Sequence, residues 1–295
     1  MVKLKMIRKI LLFSPGQFFR YRSKNLRHYY SIFSKYLHFY TYLKRCIYRP
    51  VKLENIINFE DGYLALKNIN LPNSFFKEVN NILKKIDLEK EIQNTEKSII
   101  TINKNNFDGN SQVFKAITLD KILNPIINYL DCIPILSYIA IWYSPNIKNI
   151  KQSSQLFHLD HEDYRQIKGF IFLEDVTEES GPLVILRKKD SDIIQNKLKY
   201  KMTEQNKRID DKILADYKKI YLTGSKGTVI LLDTSSCLHF GSRKASKSRL
   251  LLSFQYITPF AFVLPWFWYL SKKTKIVKNI DSKSSLILRI VGKKI

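Results

Sequence analysis

The spacing of apolar residues changes character near residue 137. Ahead of that point the chain reads largely as helix. Residues 1–50 look helical and irregular. The segment FEDGYLALKNI (59–69) reads as a short strand, its apolar residues alternating from Tyr63. LPNSFFKEVNNILKKID (71–87) reads as an amphipathic helix that Pro72 starts, with Phe75, Val79, Ile82 and Leu83 on one face. A second helical stretch, SQVFKAITLDKILNPIINYLD (111–131), is predicted to be interrupted at Pro125.

Beyond residue 137 short β-rich runs take over: SYIAIWYS (137–144), IKGFIFLEDV (167–176), PLVILR (182–187), KKIYLT (218–223), GTVILLD (227–233) and RLLLSFQYIT (249–258). Turn signals separate them, among them Ser144-Pro145-Asn146, Ser180-Gly181-Pro182 and Gly224-Ser225-Lys226-Gly227. Many short strands after a helical first half predict a mainly β sandwich or barrel with N-terminal helices packed outside it. Residues 188–217, polar and charged, read as a helical insertion between strands. No internal repeat or low-complexity linker interrupts this order.

Composition adds a location and a class of partner. With 295 residues, 45% of them hydrophobic, the chain can bury a full core as one large domain or a core with an appendage. Three widely spaced cysteines, Cys46, Cys132 and Cys237, form neither a disulfide framework nor a zinc pattern, which points to a reducing, cytoplasmic setting. The opening MVKLKMIRKILLF is basic then apolar, but too short for a secretory core and without a small-residue cleavage site. An uncharged run from Leu250 to Leu270 is long enough to span a bilayer, yet it begins as a strand and Pro259 and Pro265 interrupt it.

The formal charge of +24 is concentrated at the two ends. Residues 1–50 hold twelve Lys/Arg and no acid, and residues 261–295 hold eight against one. Aromatics such as Phe18, Tyr29, Phe33, Tyr36 and Tyr40 interleave those charges, a mixture suited to an anionic bilayer interface. The expectation is peripheral membrane contact, set against simple packing of both ends on the core. Nucleic acid is disfavoured because no recognition motif accompanies the charge. Oligomeric state is left open.

The candidate chemistry lies in FHLDHEDYRQ (157–166), which gathers two of the five histidines with three acids. His158 and Asp160, one residue apart, share a face in extended backbone. An imidazole beside a carboxylate fills only part of a divalent metal's shell, so a third ligand must come from elsewhere. His28 and His38 lie in the basic N-terminal region, whereas His239 follows the GTVILLDTSSCL strand and turn. His158, Asp160 and His239 would make a two-histidine, one-carboxylate facial triad, with positions left open for a cosubstrate and oxygen on ferrous iron. His161 points the other way and is expected on a solvated loop with Glu162 and Asp163.

Ten residues past His239, Arg249 heads RLLLSFQYIT, where alternation groups Arg249, Leu251, Ser253 and Gln255 on one face. A guanidinium turned into a barrel mouth needs an anion, such as the far carboxylate of a metal-chelating diacid. Arg243 is a weaker rival, on a loop. Lys168 and Gln155 are read as structural, and Cys237 as a small buried residue.

The stretches LFHLDHEDYRQIKGFIFLEDVTEESGPL (156–183) and GTVILLDTSSCLHFGSRKASKSRLLLSFQY (227–256) resemble the phytanoyl-CoA dioxygenase family of iron(II)/2-oxoglutarate oxygenases. DGYLALKNI and the helix after it also look like that family. The resemblance spans residues 59–258 and implies a double-stranded β-helix of the jelly-roll, cupin-like kind. The basic extension 1–58 and the basic, hydrophobic tail 259–295 lie outside it. It further implies Fe(2+) at His158, Asp160 and His239, O2 as co-reactant, and Arg249 holding the 5-carboxylate of 2-oxoglutarate. Asp160, where a small residue would suit halogenation, implies hydroxylation of a small-molecule or lipid- or glycan-linked substrate. One departure is GPLVILRKKDSD, where many members continue GP into a Pro-Gly-Ser-His turn. Two other functions compete: an inactive, basic, membrane-associated protein, and an oxygenase acting on nucleic acid.

Overall fold

The β-rich runs of the second half pair into two facing antiparallel sheets. The computed structural model describes residues 13–47, 55–67, 69–93, 98–147, 153–200, 208–265, 268, 276–281 and 283–293. The basic segment 1–12, most of SKKTKIVK and residues 201–207 of the expected insertion lie outside these residues. The strands, in chain order, are β1 (Tyr63–Leu66), β2 (Ile100–Ile102), β3 (Phe107–Asp108), β4 (Ile135–Ser144), β5 (Gln166–Phe172) and β6 (Leu183–Ile185). They continue with β7 (Ile220–Leu222), β8 (Val229–Leu232), β9 (His239–Phe240), β10 (Arg249–Ile257) and β11 (Val277–Lys278).

The large sheet runs β1-β8-β5-β10-β4-β2 and the small one β7-β6-β9. A bridge between His158 and His239 adds the Phe157–His158 segment beyond β9. Taken as eight core segments from β4 to β10, the large sheet pairs first with eighth, eighth with third and third with sixth. The small sheet pairs second with seventh, seventh with fourth and fourth with fifth. Such alternation between two sheets is the winding of a double-stranded β-helix, a jelly roll.

Alternation along each strand decides which core its side chains enter. On the inner face Phe170, Phe172, Ile230, Leu232 and Leu251 meet Ile185 and Leu222 of the small sheet. The outer face of the large sheet, with Ile171, Leu231, Leu252 and Phe254, is covered by helices. Gly169 lies opposite Phe254 in register, and a Cβ there would sit 2.0 Å from the ring. Only a bare backbone leaves room for that ring.

Among the described residues, three α-helices form an N-terminal arm: α1 (Gln17–Arg20), α2 (Lys24–Leu37) and α3 (Phe39–Tyr42). Next come α4 (Asn73–Leu83), α5 (Leu88–Gln93), α6 (Gln112–Ile117), α7 (Asp120–Leu130), α8 (Lys188–Lys197) and α9 (Ser285–Ile290). In α4 Phe75 and Val79 are buried and Ile82 and Leu83 pack beside them, the expected face. The 111–131 stretch does break, but not at Pro125, which lies inside α7. Pro125, the sixth of the eleven residues of α7, forfeits one bond to the Lys121 carbonyl, and the helix continues through it because its buried face, with Ile122, Leu123, Ile126 and Ile127, packs on the core. The chain turns instead at Thr118, whose hydroxyl donates to the Phe114 carbonyl, and Leu119 in extended conformation starts α7. No helix among the described residues is long and apolar enough to cross a membrane.

Candidate metal centre

The His158–His239 pairing rests on backbone. His158 N–H donates to the His239 carbonyl at 3.0 Å and His239 N–H to the His158 carbonyl at 3.1 Å. A pair that exchanges both bonds across antiparallel strands sends its side chains to the same face. The ring centroids lie 4.3 Å apart. Asp160 is fixed from the same side, its N–H donating to the Thr234 carbonyl in the turn ahead of His239. Asp233 braces that turn: its carboxylate accepts from Ser235 and from the Tyr129 hydroxyl, and its carbonyl from Cys237 N–H.

The histidine tautomers follow from their neighbours. Nδ1 of His158 is 2.8 Å from the Leu156 carbonyl, and Nδ1 of His239 is 2.9 Å from the Cys237 carbonyl. A carbonyl only accepts, so each Nδ1 carries the proton and each Nε2 offers a lone pair. Both Nε2 atoms face Asp160, at 3.9 Å from Oδ1 for His158 and 3.8 Å from Oδ2 for His239. One donor atom from each of the three residues lies within 4.8 Å of the others. Burial lowers the pKa of both imidazoles and Arg208 lowers it further, against a smaller raising effect of Asp160, so both are neutral and fit to ligate at pH 7. Burial opposes charge on Asp160, but Lys168 and the two imidazoles outweigh it and hold the carboxyl below its ordinary range.

Lys168 belongs to this group, contrary to its reading as structural. Its ammonium donates to Asp160 Oδ2 at 2.6 Å and lies 5.8 Å from the Trp142 ring. Burial works against its charge, and Asp160 with Glu162 more than offsets that, raising its pKa. His161 stays out of the cluster, its ring 4.8 Å from that of Tyr21. The loop beside it is not solvated as expected. Asp163 is buried, its carboxylate accepting the N–H groups of Tyr164 and Thr258, because the N-terminal arm closes over it through Arg27.

Arg249 is 3% exposed and on the inner face with Leu251. Its Nη2 donates to Ser242 Oγ at 2.8 Å, while Nε and Nη1 have no partner among the described residues. Burial lowers its pKa to about 10. Gly241 presents bare backbone to the guanidinium, where a Cβ would stand 3.3 Å from Nη2. Ser253 Oγ, on the same face of β10, is also buried without a partner. Buried polar groups are normally satisfied, so two orphans on one face mark a place for a polar ligand. Arg243 is engaged elsewhere, paired through both terminal nitrogens with Asp211 and lying over the Phe240 ring. Gln155 donates to the Ser242 carbonyl and braces the loop, and Cys237 is fully buried.

A further cation escaped the sequence reading. The bridge of Ile209 to Phe157 brings Arg208 alongside His158. Its Nε and Nη1 have no partner among the described residues, and its charge acts on His158, Asp160 and His239.

Fold and donor set together define a double-stranded β-helix carrying a two-histidine, one-carboxylate cluster able to hold a divalent metal. No protein-family model matches the chain, and no curated protein does. Solved structures similar to it include EctD from S. alaskensis with 2-oxoglutarate and 5-hydroxyectoine, at 16% identity and TM-score 0.49 over 72% of this chain and 80% of that one. Another is the non-heme alpha ketoglutarate dependent carbocyclase SnoK from nogalamycin biosynthesis, at 14% identity and TM-score 0.47 over 72% and 87%. HygX from Streptomyces hygroscopicus with iron bound has 14% identity and TM-score 0.45 over 68% and 84%. The fold assignment stands on the strand order, since every one of these scores is below one half.

Proposed function

We propose that this protein is a non-haem iron(II), 2-oxoglutarate-dependent oxygenase that hydroxylates a small-molecule or lipid- or glycan-linked substrate, as its resemblance to phytanoyl-CoA dioxygenases implies. One observation carries the reading. The inner face of the jelly roll joins a neutral-His, Asp, neutral-His cluster to a buried guanidinium with two unused donors. The cluster suits a divalent cation, and the guanidinium suits an organic anion.

His158, Asp160 and His239 would hold the iron through Nε2, a carboxylate oxygen and Nε2. When bound, iron with 2-oxoglutarate and O2 supplies the oxidising chemistry: the keto acid becomes succinate and CO2, and one oxygen atom enters a substrate C–H bond. The chain's own residues position and exclude. Arg249 offers Nε and Nη1 to the distal carboxylate, with Ser242 fixing the guanidinium plane. Lys168 keeps Asp160 ionised. Trp142, Phe170, Ile185 and Leu251 wall the interior with apolar surface, which keeps water from the reacting centre.

Anaerobic titration with ferrous ion tests the reading. The protein should take up one equivalent, His158→Ala and His239→Ala should lose it, and His161→Ala should keep it. Adding 2-oxoglutarate to the loaded protein should produce a visible charge-transfer band, and air should then release succinate. Equal iron loss in all three variants would overturn the ligand set. Stoichiometric iron with neither band nor succinate would leave the inactive alternative in its place.

A further inference from the structure

The N-terminal arm is built inside out. On α2 the residues turned to the core are Arg27, Tyr30 and Ser34, all buried. Arg27 donates to the Asp163 carbonyl at 2.8 Å and lies over the Phe262 ring. Leu26, Tyr29, Phe33, Tyr36 and Leu37, spaced by three and four residues on a separate stripe, are exposed, with Tyr36 at 74% and Phe33 at 56%. The stripe continues into Phe39 and Tyr40 of α3, and Phe18 of α1 is 65% exposed. A surface helix ordinarily turns its apolar stripe inward, and contiguous exposed apolar area marks an interaction site.

We infer that the outer face of α1–α3 docks on an anionic lipid surface, an inference independent of the oxygenase reading. Charge selects this occupant. The described residues 13–47 carry seven Lys/Arg and no Asp or Glu, and Arg22 and Lys44 stand exposed beside the stripe with no acid on the arm to balance them, so two copies of this face would repel each other. A bilayer of anionic lipid meets both features at once, with headgroups against the cations and the acyl boundary against the aromatics. The pairing is local: Arg22 lies 4.4 Å from the Phe18 ring centre and Lys44 lies 5.6 Å from that of Tyr40. Aromatic rings with a cation held over them suit the headgroup level. Arg20 with Glu162 and Lys24 with Asp192 tie the arm to the core, so the stripe is held outward by a fixed scaffold.

Flotation of the full chain with vesicles tests this. Binding is expected to phosphatidylcholine mixed with phosphatidylglycerol, and not to phosphatidylcholine alone, and it should fall as salt rises. The triple variant Phe33→Ser, Tyr36→Ser, Tyr40→Ser should weaken binding by at least about tenfold. These side chains point outward, so its circular dichroism and melting temperature should match the parent's. No binding to the anionic vesicles at low salt, or undiminished binding by a folded triple variant, would overturn the inference. So would a parent dimer that the triple variant converts to monomer, since a second copy would then be what covers the stripe.

Discussion

Within one barrel interior, buried charge is handled in two ways. At the metal end Asp160 is surrounded: Lys168 bonds it, two imidazoles face it, and Thr234 holds its backbone. Along β10, Arg249 has a single bonded neighbour among the described residues, the neutral hydroxyl of Ser242, and no acidic side chain among them pairs with it. Desolvation makes an uncompensated buried ion costly, so a lone guanidinium persists where a ligand will satisfy it. The comparison teaches that one end is balanced within the protein, whereas the other leaves donors unused for the anion we propose it binds.

Asp160→Asn should break the compensated end most severely. It removes a metal ligand and strands the Lys168 ammonium in the interior. Iron affinity should fall at least about a hundredfold, and the metal-free protein should lose about 3–5 kcal/mol, the cost of breaking a buried pair from one side. Urea denaturation of the metal-free form and anaerobic iron titration measure the two effects. Unchanged stability would mean that Lys168 turns to water once released.

Asp163 sharpens the comparison as a buried carboxylate with neutral donors. Burial pushes its pKa up to about 7, even though the Tyr164 and Thr258 N–H groups and Arg27 favour its charge. The folded state therefore binds more protons than the unfolded chain between the ordinary carboxyl value of 3.8 and 7. Stability falls as pH rises through that window and is flat above it. The difference in unfolding free energy between the parent and Asp163→Asn should change by on the order of 4 kcal/mol from pH 4 to pH 8, to the parent's disadvantage. A pH-independent difference would show that the carboxylate stays charged throughout.

Arg249→Met tests the incomplete end. Losing charged hydrogen bonds should weaken 2-oxoglutarate by about 1.5–3 kcal/mol, ten- to a hundred-and-fifty-fold, with iron binding unchanged. The same variant should make the ligand-free protein as stable or about 1 kcal/mol more stable, because an unsatisfied guanidinium leaves the interior. That sign, opposite to Asp160→Asn, is the comparison in measurable form. Destabilisation of both ligand-free variants would erase it.

What could be read from sequence divides along the range of the contacts. Alternation marked β1 and β10, and short β-rich runs between turn signals marked β4 to β8, because each pattern is local. Alternation also grouped Arg249 with Leu251 and Ser253. His158, Asp160 and His239 were picked out by the one-residue spacing of the first two and by a histidine just past a strand, and the structure brings all three together. Pro125 misled because the packing of the helix's apolar face on the core, a long-range term, carries the helix through the bond that a mid-helix proline forfeits. Arg208 was beyond reach, since its place depends on Ile209 bridging Phe157 some fifty residues away. Asp163 was misread for the same reason, Thr258 being 95 residues distant. Lys168 did leave a signal: in IKGFIFL it shares a face with Phe170 and Phe172, and a lone cation on an aromatic inner face calls for a buried partner.

Lys168 supplies the smallest effect. Its ammonium occupies one side of the carboxylate that the metal would share, so it repels a divalent cation while keeping Asp160 ionised. Two opposing consequences follow for Lys168→Met. Removing the repulsion favours iron, whereas Asp160 loses its partner and regains its proton more readily. A bound divalent cation itself favours the ionised carboxylate at neutral pH, so the repulsion wins. Iron should bind about tenfold more tightly at pH 7, a net of about 1.4 kcal/mol left once the lost support for Asp160 offsets most of the Coulomb repulsion. That gain should vanish as pH falls and Asp160 takes up its proton. Weaker iron binding at pH 7 would instead show that the ammonium aligns the carboxylate, and the metal end would then depend on Lys168 as much as on its three ligands.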